Sequence, residues 1–178
     1  VGAANNTAVI TLPNAISIAG PITVYGGAIN VNANLSDTQA STNNGIQLLG
    51  SGVFTEASGA AITTTNGNII VTGSQIQINN TSTSALSAGG TGSYWQIWST
   101  NTSPFTGSTT DNDGSLVYNY KQYNATYGST TPSGTGNGLL FSYAPTLTFS
   151  LTGTVSKTYD GGLTATLTSG NYSVSGVV

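Results

Sequence analysis

Gly20-Pro21-Ile22-Thr23-Val24-Tyr25-Gly26-Gly27-Ala28-Ile29-Asn30-Val31 reads as two short strands joined by a glycine turn, and the phrase returns twice. The second copy is Gly45-Ile46-Gln47-Leu48-Leu49-Gly50-Ser51-Gly52-Val53-Phe54-Thr55. The third is Asn68-Ile69-Ile70-Val71-Thr72-Gly73-Ser74-Gln75-Ile76-Gln77-Ile78. Ile46 follows Ile22 by 24 residues and Ile69 follows Ile46 by 23; Ile29, Val53 and Ile76 repeat the same steps. Apolar and polar residues alternate along each strand, so one face is buried and one is wet. A unit this small cannot bury its apolar face alone. Stacking identical units does so, and a strand-like repeat of this period predicts a right-handed parallel β-helix. Two columns are expected in its core, Ile22-Ile46-Ile69 and Ile29-Val53-Ile76.

On the N-terminal side, Val9-Ile10-Thr11-Leu12 and Ile16-Ser17-Ile18, divided by Pro13-Asn14, read as an initial strand and a partial first unit. A third face is suggested by Ile16 before Ile22 and Ile62 before Ile69. The middle unit offers only Gln39 and Ala40 there, and Ser36 to Asn44 reads as a loop. Residues 81–93 are rich in Ser, Thr and Gly and read as a linker. Tyr94, Trp95, Trp98, Phe105, Tyr118, Tyr120, Tyr123 and Tyr127 then crowd together. They suit a cap over the open end of the stack, where strand edges and core would otherwise face water. A platform of exposed rings for carbohydrate is the alternative. Residues 128–143 form a second linker ending in Leu139-Leu140-Phe141. Beyond it, Leu147 to Leu151, Thr154 to Lys157, Ala165 to Leu167 and Tyr172 to Val178 read as antiparallel strands around the turn Tyr159-Asp160-Gly161-Gly162. The expected division is therefore an all-β chain: 1–93, parallel β-helix with its initial strand; 94–143, aromatic cap and linker; 144–178, the opening strands of an incomplete Ig-like β-sandwich.

Composition narrows function. Only 4% of the residues are charged, against about a quarter in ordinary domains. Lys121 and Lys157 are the only cations, and no basic patch exists to displace counterions from nucleic acid. His and Cys are absent, which removes ordinary zinc and thiol chemistry. No apolar run has the length of a membrane helix. No leader segment is recognisable, and a start without Met suggests a processed chain or a fragment. Such a composition suits an extracellular location.

The candidate sites each have two readings. Asp37 and Glu56 lie on neighbouring units, as acids of β-helical polysaccharide enzymes do, but no Arg or His assists them. No catalytic residue is therefore assigned. Asp111-Asn112-Asp113-Gly114-Ser115 places oxygen ligands at alternate positions like a calcium loop, yet lacks the distal Glu, and an Asx-stabilised turn explains it equally. No metal or cofactor is assigned. Asn5, Asn34, Asn79, Asn80, Asn101, Asn124 and Asn171 are glycosylation sequons. Thr63-Thr64-Thr65 does not recur at the repeat period, which argues against an ice-binding face. Lys121 and Lys157 are either solvated or partners in isopeptide bonds.

The order of these pieces resembles the filamentous-haemagglutinin type of exoprotein, the large partner of two-partner secretion. Gly20-Pro21-Ile22-Thr23 through Asn34-Leu35, with Gly59-Ala60-Ala61-Ile62-Thr63-Thr64, resembles that family's β-helix repeats. Lys121-Gln122-Tyr123-Asn124-Ala125-Thr126-Tyr127-Gly128 resembles the junction that follows them. Leu151-Thr152-Gly153-Thr154-Val155-Ser156-Lys157-Thr158-Tyr159-Asp160-Gly161 resembles the start of the bacterial surface module named for its Tyr-Asp-Gly turn. The family's N-terminal secretion domain is absent and the module is about half its expected length. The resemblance implies a secreted or surface-bound, non-catalytic adhesive segment. Its partners would be the rest of a longer chain or neighbouring copies of itself, with host or bacterial glycans as ligands. The alternative is a repeating subunit of an extracellular filament joined by β-strand pairing between chains.

Overall fold

The computed structural model describes residues 1–177. Val178, read above as the end of the last strand, lies outside the described residues. The chain divides into two compact units, Val1–Tyr143 and Ala144–Val178. The first is all-β and its strands are parallel.

Its first twelve strands are laid down in rotation on three sheets. The first sheet takes β1 (Ile10–Leu12), β4 (Ile29–Val31), β7 (Val53–Glu56) and β10 (Gln75–Ile78). The second takes β2 (Ile16–Ile18), β5 (Leu35–Asp37), β8 (Ile62–Thr64) and β11 (Leu86–Ala88). The third takes β3 (Ile22–Gly26), β6 (Asn43–Gly50), β9 (Gly67–Gly73) and β12 (Trp95–Ser99), and then gains β14 (Gly138–Phe141) and β13 (Tyr120–Gln122), in that spatial order. Parallel strands need a connection that carries the chain around, and here two strands on the other sheets supply it.

Register makes the buried residues stack. On the third sheet Ile22, Ile46, Ile69 and Trp95 form one column, as the spacing of the three isoleucines requires, and Val24, Leu48, Val71, Ile97 and Leu139 form a second. On the second sheet the column is Ile16, Leu35, Ile62 and Leu86. These columns and those of the first sheet join in one apolar cluster. A fully buried Ile or Leu contributes about 1.5–3 kcal/mol relative to exposure.

Four expectations are corrected. The first-sheet column is Ile10, Ile29, Phe54 and Ile76, with Phe54 in the place assigned to Val53. The corner after Gly50 holds one residue more than those after Gly26 and Gly73, so the inward phase shifts by one position. Phe54 is fully buried and Val53 is not. The middle unit's member of the third face is Leu35, not Gln39 or Ala40, because the corner from β5 to β6 is lengthened. Within residues 81–93, Leu86–Ala88 is β11 and extends the second sheet, so this stretch carries part of a fourth rotation. Thr154–Lys157 and Ala165–Leu167 form no strand; their alternation meets no partner among the described residues.

The second unit contains one antiparallel ribbon, β15 (Thr148–Leu151) with β16 (Tyr172–Ser175). Phe149 faces Val174 and Leu151 faces Tyr172, all exposed, while Ser150 and Ser173 share a 2.8 Å hydroxyl contact on the opposite face.

Candidate functional site

The alternation that fills the core also sends a second set of side chains outward. On the third sheet two outward rows result, Thr23-Gln47-Ile70-Gln96 and Tyr25-Leu49-Thr72-Trp98-Leu140. A solvated row would be polar throughout. Here Ile70, Trp98 and Leu140 are buried, because the chain folds back over them after β13. Asn124 makes that reversal in the left-handed region, which Asn tolerates. The amides of Asn124 and Ala125 donate to the carbonyls of Tyr143 and Phe141 at 3.0 and 2.9 Å. Ser133 pins the far side, its amide and hydroxyl both donating to Gln122 Oε1.

The returning segment sets Tyr127 on Trp98, ring edge to ring face, with centroids 5.5 Å apart. Tyr127 parts two clefts. One, about 430 Å³, lies between Tyr127 and the segment 4–7, with Tyr25, Leu49 and Thr72 as its floor. Asn6 holds that wall by donating from Nδ2 to the Tyr25 carbonyl at 2.9 Å. The other cleft, about 360 Å³, is bounded by Asn44, Gln47, Asn68, Tyr94, Gln96 and Trp98. Gln96 donates from Nε2 to the Tyr120 hydroxyl at 2.9 Å. Neither cleft contains a charged side chain. Burial, with the neighbouring phenols of Tyr25 and Tyr94, pushes the Tyr127 hydroxyl up, so it stays protonated. The Trp98 indole N–H is sealed from water and has no acceptor among the described residues.

Apart from Tyr118, which is exposed beneath the Lys121 ammonium, the aromatic cluster has three destinations. Trp95 enters the core column. Phe105, Tyr123, Phe141 and Tyr143 pack together against the main apolar cluster. Tyr94, Trp98, Tyr120 and Tyr127 lie on the outer face. The signal for the outer face was present in the sequence: Leu49, Ile70, Trp98 and Leu140 are apolar residues in the polar phase of their strands.

The acids lie apart. Asp37 and Glu56 are buried in different sheets. Asp37 Oδ1 accepts from the amides of Gly20 and Gln39. Neither oxygen of Glu56 has a partner among the described residues, and burial pushes its carboxyl up to about 8. Asp111 and Asp113 do converge, in a cleft of about 410 Å³ beside Phe105 and Lys121. Asp111 Oδ1 is engaged there by the Ile76 amide and Asn101 Nδ2, each at 2.9 Å, and Asn112 Oδ1 accepts from the Gly114 amide as an Asx turn. Among the described residues no three His, Cys, Asp or Glu side chains gather. The Lys121 ammonium lies over the rings of Tyr118 and Phe105, and Lys157 pairs with Asp160 at 2.6 Å. Neither lysine is buried as an isopeptide partner must be. Of the sequons, Asn101 is buried and engaged, whereas Asn5, Asn79 and Asn124 are exposed.

Comparison with known protein families, curated proteins and solved structures finds no match.

Proposed function

We propose that the three sheets are the faces of a right-handed parallel β-helix. On this reading the chain is a non-catalytic structural and adhesive segment of an extracellular, filamentous-haemagglutinin-like surface protein. One observation carries it: the chain visits the sheets in unbroken rotation four times while the apolar columns stay in register. An architecture of this kind lengthens by adding rotations, each needing only its neighbours. A near-neutral surface rich in Asn, Ser and Thr suits such a shaft outside the cell. No helix among the described residues is long and apolar enough to cross a membrane. Asp37 and Glu56 are enclosed in the core; Asp111 and Asp113 share a cleft with Lys121, but one Asp111 oxygen is held by the Ile76 amide and Asn101, and the sequence has no His or Arg to complete acid–base chemistry.

Electron microscopy of the native material tests the reading. Thin isolated rods support it; globules overturn it. Cleavage of a polysaccharide that is lost on Asp111→Asn or Glu56→Gln would overturn the non-catalytic part.

The exposed ribbon favours a second reading, assembly of copies into a filament by strand pairing. A two-stranded ribbon is marginal alone, and its apolar face lacks cover among the described residues. Continuous fibres that disappear with Phe149→Lys support this reading. Fibres unaffected by that change count against it.

A further inference from the structure

We propose that the outer face of the third sheet binds an uncharged oligosaccharide, laid across Tyr127 and occupying the clefts on both sides of it. The proposal rests on the adhesive reading above and gives it a site.

The ligand class follows from what lines the clefts. Tyr25 and Tyr127 bound the first, and Tyr94, Trp98 and Tyr127 the second. The apolar C–H face of a pyranose packs on such rings, whose own surfaces are hydrophobic while their edges carry a polar handle. The amides of Asn44 and Gln47 line the second cleft, able to donate and accept at once, as sugar hydroxyls require, with that of Asn68, whose Oδ1 already accepts from the Tyr94 amide. An apolar peptide would leave these amides stranded. No Lys, Asp or Glu side chain lines either cleft, so a sulfated or sialylated chain gains no side-chain ion pair there, and the formal net charge is −3. Neutral lining therefore selects a neutral occupant.

Two further observations point to a ligand. Tyr25 and Trp98 belong to one outward row, three strand steps apart. At about 4.8 Å per step the row runs about 14 Å, a length for an oligosaccharide rather than a single sugar. And Trp98, 4% exposed, lies at the second cleft with an indole N–H that no atom of the described residues accepts. A buried donor left unpaired costs about 1–3 kcal/mol. In the proposed complex a sugar hydroxyl in the second cleft supplies the acceptor.

The full chain should be applied to an array of uncharged hexose and N-acetylhexosamine oligosaccharides beside sulfated and sialylated ones. The strongest uncharged binder is then titrated against tryptophan emission. Trp95 is enclosed in the core, so a saturable change reports on Trp98. Tyr127→Ala should weaken binding about tenfold, the loss of one ring stack. Gln47→Ala, outside the apolar core, should weaken it independently. Circular dichroism establishes that both variants are folded. Binding to no uncharged glycan, binding to charged glycans alone, or wild-type affinity in both variants overturns the proposal. Rods that bind no glycan would remove the site and leave the shaft reading standing.

Discussion

Glu56 occupies a place that an aliphatic side chain would fill. It stacks between Val31 and Ile78 in the inward column of the first sheet and is fully buried. Removing a carboxylate from water with no partner favours its neutral form, which is why its pKa rises from the usual 4.5 to about 8. The folded state therefore holds a proton that the unfolded chain releases near 4.5. The associated stability is fully present below about pH 4.5 and is lost as pH rises to about 8, a change of order 5 kcal/mol. Urea midpoints at pH 5, 7 and 9 should fall accordingly. Glu56→Met should flatten the profile and raise stability at pH 9; an unchanged profile would show that Glu56 is solvated. Phe54 and Val53 give a second residue-level test. Phe54→Ala should cost about 3–5 kcal/mol, as for a buried aromatic, and Val53→Ala about 1 or less. The opposite ranking would restore the column read from sequence.

The corners between strands explain why Asn replaces charge in this chain. Asn34 accepts from the Ala61 amide, Asn68 from the Tyr94 amide and Asn137 from the Trp95 amide, each at 3.0 Å. Asn66 donates to the Ala40 carbonyl at 2.9 Å. Each bond ties one rotation to a later one and satisfies a backbone group where the ladder is interrupted. An amide can do this as donor or acceptor without the desolvation penalty of an ion. The register shift inside β6, between Asn43 and Ile46, needs a different device. Gly45 sits at φ 64, and a Cβ there would collide with the Asn68 backbone. Gly45→Ala should therefore destabilise by more than about 1 kcal/mol. Gly59, with open space around its Cβ position, should accept Ala at no cost. Equal thermal midpoints for the two variants would contradict this account of the register shift.

Within the first unit the two ends of the stack differ. Phe105, Tyr123, Phe141 and Tyr143 close over the core after the last rotation. At the other end Val9 and Ile18 are exposed, and β1 and β2 are edge strands. Exposed strand edges and apolar faces invite association. Residues 1–143 should fold alone and remain soluble, because their core is complete without the ribbon. Residues 1–80 should aggregate, because the cut removes β11 and β12 with the aromatic cover and uncovers the inner columns at β8 and β9. Expression of both fragments, followed by sedimentation and circular dichroism, checks this. Soluble, folded 1–80 would show that the aromatic segment is not a cover.

Strand phase was legible in the residues: Ile22, Ile46 and Ile69 stack as their spacing demands, since period-two alternation and a constant repeat leave little choice of register. Apolar contact for the aromatic segment was legible, because so many large rings in a short span must find it, and Trp95 and Trp98 are buried. What the residues did not specify was corner length. One extra residue after Gly50 exchanged Val53 for Phe54, and several before β6 moved the third face to Leu35. Corners carry no periodicity, so their length is settled by how the strands beside them stack. The candidate site lies beyond local reading for the same reason. Tyr25, Gln47 and Trp98 are far apart in the chain, and the stacking of four strands brings them onto one face. Tyr127 joins them because Asn124 reverses the backbone, and the contacts that hold the reversal are tertiary.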